Sequence, residues 1–380
     1  MDAVIDAYNR TPNTEEFYTQ KQLLYSIYDK WFYGCPKMQW MGSEPWGASK
    51  YTTPFPHAKT GSANGWRNHF IDDMAWMVLT HIRMYESFAL DYPDQALKYL
   101  NQGKELYDDY IWEWAWDTGW GSYSSTSVTY NYSNIGGLFW LLEVNDDGQR
   151  TFSKNSCING PAMVITGKLA HYAANEEERA KYLDQAEKLY QFMTTAPRSG
   201  QNPLAMTSGL VYDNINASGN TSGSALSYNQ GTFMGGCHWL YKLTGDENYL
   251  ARAVATVNYT MNSLQTGSGT SRVLNSHDSG DGSNNSVFSA IFLRYLIPLI
   301  NEPDIPAATR QGWYDNLARW ADLAWTQARG IDKGSSTTPG YMLFGSNWTS
   351  RPTSQNLHLG FQVSGAVLIE SMNLVNLPIE

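Results

Sequence analysis

The sequence predicts an all-α protein, an (α/α)6 barrel in which long loops gather at one face. Apolar residues recur with a period of about 3.6 in eleven segments, as in amphipathic helices. Short turns alternate with long loops rich in Gly, Ser, Asn and aromatic residues, so the helices should pair antiparallel. Eleven helices approximate six hairpins, and closure into a barrel is favoured over a solenoid because no sequence repeat is present.

The individual helices follow from this periodicity and from the residues that interrupt it. Turn signals such as Thr11-Pro12-Asn13, Asp91-Tyr92-Pro93 and Thr244-Gly245-Asp246 separate several of them. We expect helices at about 1–9, 14–33, 68–89, 93–113, 154–174, 177–194, 228–244, 247–264, 284–300, 305–329 and 356–376. The long loops are predicted at about 36–66, 114–153, 197–227, 265–283 and 331–355. No change in composition marks a boundary, so residues 1–380 are predicted to form a single domain.

The composition narrows the class of ligand. Lys and Arg number 26 against 36 Asp and Glu, a net charge of -10 that disfavours nucleic acid or an anionic membrane as partner. Aromatic residues make up 14% of the chain, nearly as much as the 16% that is charged. Trp and Tyr combine a flat apolar face with a polar group, which suits stacking on sugar rings. Most of them should nevertheless belong to the core.

The chain begins with a segment, residues 1–8, that reads as an amphipathic helix already under way, without a capping residue. We therefore expect that the first helix is entered midway and that an upstream segment, including a secretion signal, is missing. No signal peptide and no membrane-spanning stretch are present in the sequence itself. The expected location is extracytoplasmic, and the expected state is a monomer.

The most informative motif is a pair of adjacent carboxylates, Asp72-Asp73, inside an apolar and aromatic run at residues 69–79. Two negative charges are costly to bury there, and each raises the pKa of the other. The pair opens a predicted helix after Asn68, a candidate N-cap, where the helix dipole favours an anion. The pairs Asp108-Asp109 and Asp146-Asp147 lie in polar surroundings and are interpreted as solvated charge.

Two carboxyls with split pKa values are what the cleavage of a glycosidic bond requires. Neighbouring residues on a helix point about 100° apart, so the two groups can flank one bond. Adjacent residues suit the gap of roughly 5 Å of retaining glycosidases better than the wider gap of inverting ones. Asp72 lies nearer the helix start, so the dipole should keep it ionised more readily than Asp73.

Other polar residues at helix starts are candidate sugar ligands. Residues 154–160 and 228–231 each open a helix after a long loop, and their amides can either cap the helix or bind hydroxyl groups. Arg294 is a charge in an apolar helix that suits either a structural ion pair or a ligand contact. The His277–Gly282 segment lacks the spacing of a calcium loop, so no metal and no cofactor are predicted.

Together these motifs resemble glycoside hydrolase family 76, the endo-α-1,6-mannanases. The resemblance rests on Asp72-Asp73-Met74-Ala75-Trp76 and on the Lys-Asn…Asn-Gly helix start at residues 154–160. It extends, in order, over residues 1–8, 209–213, 228–231, 244–246, 291–296 and 347–348.

The resemblance implies an (α/α)6 barrel with long loops at the active-site face and retaining hydrolysis of α-1,6-mannan backbones. Asp72 would be the nucleophile and Asp73 the general acid/base. Mannan would lie in a cleft lined by the loops. The residues then expected to bind sugar are Trp76, Trp120, Asn155, Asn159, Asp213, Tyr228, Asn229, Gln230, Arg294 and Trp348.

Three alternatives remain open at this level. The same scaffold can carry a transglycosylase that acts on mannan-type glycans. Another (α/α)6 hydrolase or lyase could act on uronic-acid glycans, although the acidic balance of the chain argues against an anionic polymer. A non-catalytic glycan-binding protein is the third, and the intact carboxylate pair argues against it.

Overall fold

The structure is a computed structural model. It describes residues 2–29, 70–116, 136–141, 143–144, 150–151, 154–197, 199–216, 219–275, 284–332, 341–345, 347–352 and 358–376. The chain divides into two compact units, the first formed by Met1–Leu204 with Asp213–Ser222 and the second by Ala205–Tyr212 with Gly223–Glu380.

The first unit is built mainly from helices. These are α1 Asp2–Arg10, α2 Tyr18–Asp29, α3 Ile71–Phe88, α4 Pro93–Leu106, α5 Glu113–Ala115, α6 Ser156–His171 and α7 Glu176–Thr194. A π-helical turn, Tyr107–Trp112, joins α4 to α5. Five two-residue strands accompany them: β1 Glu143–Val144, β2 Arg150–Thr151, β3 Lys154–Asn155, β4 Asn214–Ile215 and β5 Thr221–Ser222. Strands β3, β4 and β5 form one antiparallel sheet.

The second unit has the same character. Its helices are α8 Ser227–Thr244, α9 Glu247–Ser263, α10 Phe288–Ile300, α11 Ala307–Leu323 and α12 Leu359–Asn373. Its strands form two antiparallel hairpins, β6 Gln265–Thr266 with β7 Val273–Leu274 and β8 Arg329–Asp332 with β9 Tyr341–Phe344. A π-helical turn, Ala324–Ala328, follows α11.

Helices with different burial alternate along the chain. Helices α6 and α8 are buried on all sides over most of their length, as interior helices are. Helices α7 and α9, which follow them, bury one stripe; α7 exposes charged residues on its opposite face, and α9 exposes mainly small and polar residues there. Each pair packs across a short turn, with Asn175 capping α7 and Asp246 capping α9. The predicted antiparallel pairing within α6–α7 and α8–α9 is thus present. Among the described helices, none is long and apolar enough to cross a membrane.

A side-chain amide at the fourth residue of three helices holds a backbone segment that lies earlier in the chain. Asn159 of α6 accepts a hydrogen bond from the Leu138 N–H (2.7 Å) and donates one to the Leu138 carbonyl (3.0 Å). Gln230 of α8 makes the same two bonds with Val211, and Gln362 of α12 makes them with Phe344. We call these three contacts the amide clamps. Each clamp gives both the backbone N–H and the carbonyl of one residue a hydrogen-bond partner on a helix.

Candidate active site

The carboxylate pair lies at the start of α3, beside a short extended segment formed by residues 136–141. Phe70 occupies the N-cap position in an extended conformation and pairs with Leu141 as an isolated antiparallel bridge. The Ile71 N–H donates to the Trp140 carbonyl at 2.9 Å. Helix α3 therefore begins at Ile71, and the prediction that Asn68 is its N-cap is wrong, because Phe70 holds that position. Asn68 itself lies outside the described residues.

The two carboxyls have different surroundings. Asp72 is partly buried and accepts a hydrogen bond from the Trp140 indole Nε1 at 2.9 Å, whereas Asp73 is exposed. The Cys157 thiol, from the first turn of α6, also donates to the Asp72 carboxyl. Burial raises the pKa of Asp72, the nearby Asp73 charge raises it further, and the bonds from Cys157 and Trp140 oppose both effects; the pKa that results is about 7. Desolvation therefore outweighs the helix dipole, which was expected to keep Asp72 ionised.

Several contacts fix the extended segment that carries Trp140. Leu138 pairs with Trp116 and is held by the Asn159 clamp, while the Phe139 N–H donates to the Ala115 carbonyl. The buried ammonium of Lys154 donates to the Gly136 carbonyl at 2.6 Å and lies over the Phe139 ring. Because the backbone is fixed on both sides, the position of the Trp140 indole is defined by α5, α6 and β3 together.

Gly137 allows this segment to pass against α7. Its φ is +78°, and an added Cβ would lie 2.5 Å from the Phe192 ring. We expect Gly137→Ala to lower the free energy of unfolding by about 3 kcal/mol, from the left-handed backbone and the ring contact together. Gly200, at φ +81° with open space around it, is the matched control. Gly200→Ala should cost about 1 kcal/mol because only the backbone effect remains. Equal thermal midpoints for the two variants would contradict the assigned contact.

The start of α6 lies beside the sheet β3-β4-β5. The Ser156 N–H donates to the Asp213 carbonyl at 2.7 Å, and Asn155 pairs with Asn214 across the sheet. Asn155 and Asp213 are partly buried at this edge. Asn159, one turn further, is fully buried, and its amide is committed to the backbone of Leu138 and Asn155. We therefore assign Asn159 to positioning the extended segment, whereas Asn155 and Asp213 remain candidate sugar ligands.

The remaining predicted residues have varied environments. Trp76 lies partly buried on α3, one turn after the carboxylate pair. In the second unit the Tyr228 ring packs on Phe288 with 4.1 Å between centroids.

Asn229 and Gln230 are fully buried, and Gln230 is held in its clamp. Trp348 is 5% exposed and packs on Trp320, which makes it a core residue, while Arg294 is partly buried on α10. Trp120 lies outside the described residues.

Sequence reasoning missed Trp140 and Cys157, the two side chains that bind Asp72. Trp140 lies in a long Trp-rich loop without periodicity, so nothing in the sequence distinguished it from Trp116 and Trp120. Cys157 lies within the motif at residues 154–160, two residues after Asn155 and two before Asn159. This position was the one feature of the sequence that could have identified it as a residue of the site. Within the described residues there is no group of three His, Cys, Asp or Glu side chains that could hold a metal ion.

The model of glycosyl hydrolase family 76 matches residues 1–377. The chain belongs to this family, which places it among the glycoside hydrolases. It is 32% identical over 120 residues to the mannan endo-1,6-alpha-mannosidase DFG5 of Candida albicans, and 32% identical over 127 residues to DCW1 of Saccharomyces cerevisiae. These stretches cover 31% and 32% of this chain, and 25% and 26% of the relatives. The match thus spans about a quarter of the length of these relatives.

Solved structures resemble the chain over almost its whole length. The GH76A alpha-1,6-mannanase of Salegentibacter sp. HEL1_6 covers 99% of this chain with 87% of its own, at a TM-score of 0.63 and 23% identity. The Lin0763 protein of Listeria innocua covers 98% with 82% of its own, at a TM-score of 0.67 and 22% identity. This likeness shows the fold, so the prediction of an all-α (α/α)6 barrel is confirmed.

Proposed function

We propose that the protein is an endo-acting, retaining hydrolase of α-1,6-mannan backbones, with Asp72 as nucleophile and Asp73 as general acid/base. The observation that carries this proposal is the asymmetric pair at the start of α3. Asp72 is partly buried and accepts bonds from Trp140 and Cys157, whereas Asp73 is exposed. One carboxyl is held in place for attack and the other is accessible for proton exchange.

Similar proteins support the choice of substrate. The curated relatives are named mannan endo-1,6-alpha-mannosidases, and a solved structure of the family is an alpha-1,6-mannanase. Another is described as an inactive variant of that mannanase, with two consecutive Asp residues replaced by Asn, in complex with alpha-1,6-mannotriose. The consecutive pair in this chain is Asp72-Asp73, within the stretch that carried the family resemblance.

The proposed reaction has two steps. In the first, the Asp72 carboxylate bonds to the anomeric carbon while the glycosidic C–O bond breaks, and Asp73 gives its proton to the leaving oxygen. In the second, water attacks the anomeric carbon, its proton passes to Asp73, and the bond to Asp72 breaks. The product then has the α configuration of the substrate.

The protonation states that this reaction needs are compatible with the site. The charge of Asp73 is the second cause of the raised pKa of Asp72. When Asp73 holds the proton that it will donate, this repulsion is absent and Asp72 ionises more readily. The bonds from Trp140 and Cys157 favour the carboxylate form of Asp72. The proposed reaction therefore requires that the proton shared by the pair lies on Asp73 and not on Asp72, whose raised pKa in the free protein favours its own protonation.

The other elements of the proposal follow the same reasoning. Trp76 beside the pair, with Asn155 and Asp213 near the start of α6, would contact the mannose units. Tyr228 and Arg294 are further candidates, whereas Asn229 is fully buried and is not retained as one. We also propose a single catalytic domain that works as an extracytoplasmic monomer without a cofactor, since polymeric mannan is an extracellular substrate.

The test is digestion of unbranched α-1,6-mannan by the wild type, Asp72→Asn and Asp73→Asn, with products resolved by length and their anomeric configuration followed by NMR. We expect mixed mannooligosaccharides of retained configuration from the wild type alone. Asp94→Asn is the matched control, because Asp94 is also a first-turn Asp, in α4, but is exposed and has no part in the site. A folded wild type that does not cleave the polymer would overturn the proposal. Transfer to an added acceptor instead of water would identify a transglycosylase.

A further inference from the structure

The second unit carries an exposed tryptophan that the proposed reaction does not use. Trp325 lies in the π-helical turn Ala324–Ala328 and is 40% exposed, the most of any tryptophan whose side chain the structure describes. One exposed apolar residue is common on a protein surface. Two further observations distinguish Trp325. The Arg329 Cζ lies 4.0 Å from the centre of its ring, and a π-helical turn is rare and frequently belongs to a functional site.

The backbone that presents the guanidinium is fixed on both sides. The Gly345 N–H donates to the Ala328 carbonyl at 3.2 Å, and Arg329 begins β8, where it pairs with Phe344. Phe344 is itself held by the amide clamp of Gln362. The guanidinium therefore comes from a paired strand and covers one face of the indole. Because the ring is held in this way, little side-chain freedom remains to be lost when a ligand binds.

The chemistry around the ring suits a sugar. The exposed part of the indole is a flat apolar surface of the kind that stacks on the C–H face of a pyranose. The same turn and the end of α11 expose the polar side chains of Asp322, Thr326 and Gln327. The Thr326 hydroxyl donates to the Asp322 carbonyl at 2.6 Å, and its oxygen can still accept a hydrogen bond. The Asp322 carboxylate accepts, and the Gln327 amide both donates and accepts, as sugar hydroxyls require.

We propose that Trp325 and Arg329 form a platform that binds a mannan chain by the face of one mannose unit and takes no part in the cleavage itself. Arg329 and Asp322 have opposite charges, so the ligand that fits is neutral. The choice of mannan rests on the proposed function, which supplies a neutral polymer of identical units. A polymer that is held at a second point stays with the protein after each cleavage, because rebinding at the carboxylate pair is then intramolecular.

The first test measures binding without cleavage. In a background with both Asp72→Asn and Asp73→Asn, native electrophoresis through gels that contain unbranched α-1,6-mannan gives the dissociation constant from the retardation. Trp325→Ala should weaken binding of the polymer about tenfold, because the apolar area of the ring is lost. Trp325→Phe keeps an aromatic ring and should stay within about threefold of the parent. Binding of α-1,6-mannotriose, measured by calorimetry, should change less than about twofold, because a trisaccharide is held at the carboxylate pair.

Two further variants separate stacking from charge and from exposure. Arg329→Lys keeps the positive charge but lacks the planar group that stacks on the ring, so mannan binding should weaken about threefold and stay insensitive to salt. The matched control is Tyr18→Ala, which removes a 57% exposed aromatic residue of the first unit and should leave binding unchanged. Undiminished binding in a folded Trp325→Ala, an equal loss in Tyr18→Ala, or a dissociation constant that rises with salt would overturn the proposal.

The second test is cleavage, with the carboxylate pair intact. On unbranched mannan, Trp325→Ala should raise KM about fivefold and leave kcat near that of the wild type, because the platform binds without acting on the bond. On an activated aryl α-1,6-mannobioside, kcat/KM should stay within about twofold. Equal losses on the polymer and on the short substrate would overturn the platform. If the protein does not cleave mannan and its retardation still depends on Trp325, the proposed function fails while the platform stands.

Discussion

Asp72→Ala is expected to lower kcat/KM on mannan by at least about 10⁴-fold, because the covalent intermediate can no longer form. The missing carboxylate can be replaced by an external nucleophile. With an activated aryl α-1,6-mannobioside and sodium azide, we expect the Asp72→Ala variant to release the β-configured glycosyl azide. Azide would enter the position of the lost carboxylate and attack opposite the leaving group, so one displacement inverts the configuration.

Asp73→Ala should behave differently, because it keeps the nucleophile. An aryl leaving group with a low pKa needs no proton, so the first step on the aryl substrate should be largely preserved. Azide should then attack the glycosyl-enzyme and give the α-configured product. Cleavage of mannan itself should fall by about 10²–10⁴-fold, the usual contribution of general acid catalysis. Interchanged azide products would assign the two roles the other way round.

Asp72→Asn is expected to stabilise the folded protein at pH 8 and to leave its stability at pH 4 unchanged. The pKa of Asp72 is about 7 in the folded state, against an ordinary value of 3.8 for an aspartate. Between these values the folded state binds more protons than the unfolded one, so stability falls as the pH rises. The full penalty above pH 7 is on the order of 4 kcal/mol, at about 1.4 kcal/mol for each unit. We expect the variant to recover about 2 kcal/mol, because the coupling with Asp73 distributes the shift over the pair.

Scanning calorimetry at a series of pH values measures this effect as the difference in thermal midpoint between variant and wild type. The difference should grow from near zero at pH 4 to a few degrees at pH 8. The Asn amide still offers an oxygen to the Trp140 indole, so that contact should survive. Asp94→Asn, in the first turn of α4, should show no comparable rise between these pH values. A destabilised Asp72→Asn at pH 8 would mean that the carboxylate is stabilised by its surroundings and not strained by burial.

The helices could be predicted from the sequence because the apolar residues that repeat with helical spacing are the residues that form the core. One face of α3 is fully buried, and the periodic pattern predicts this face directly. Its residues are Ile71, Met74, Ala75, Val78 and Ile82. The boundaries were predicted less well, because caps are set by neighbouring segments. Phe70 takes the N-cap position since it pairs with Leu141, a contact that no local signal contains.

The carboxylate pair could be located from the sequence, but its surroundings could not. Asp72-Asp73 stood out as charge in an apolar run, whereas Trp140 reaches Asp72 across a separation of 68 residues. The amides of Asn159 and Gln230 were interpreted as candidate sugar ligands because helix starts after long loops favour that function. In the structure both are buried and hold backbone. In the sequence, an amide at the fourth position of a helix looks the same whether it binds a sugar or holds a backbone segment.

The amide clamps have a consequence for how this scaffold acquires new specificities. Each clamp joins a helix to a residue 18, 19 or 21 positions earlier, so the intervening loop is closed at its base by two hydrogen bonds. A loop that is closed in this way can lengthen or change its sequence at a small entropic cost, because closure depends only weakly on length. Mutations within the loop then leave the helix that follows in place. Natural variation and laboratory grafting can thus exchange whole loops as modules between related enzymes, provided that the amide and the residue it holds are transferred intact.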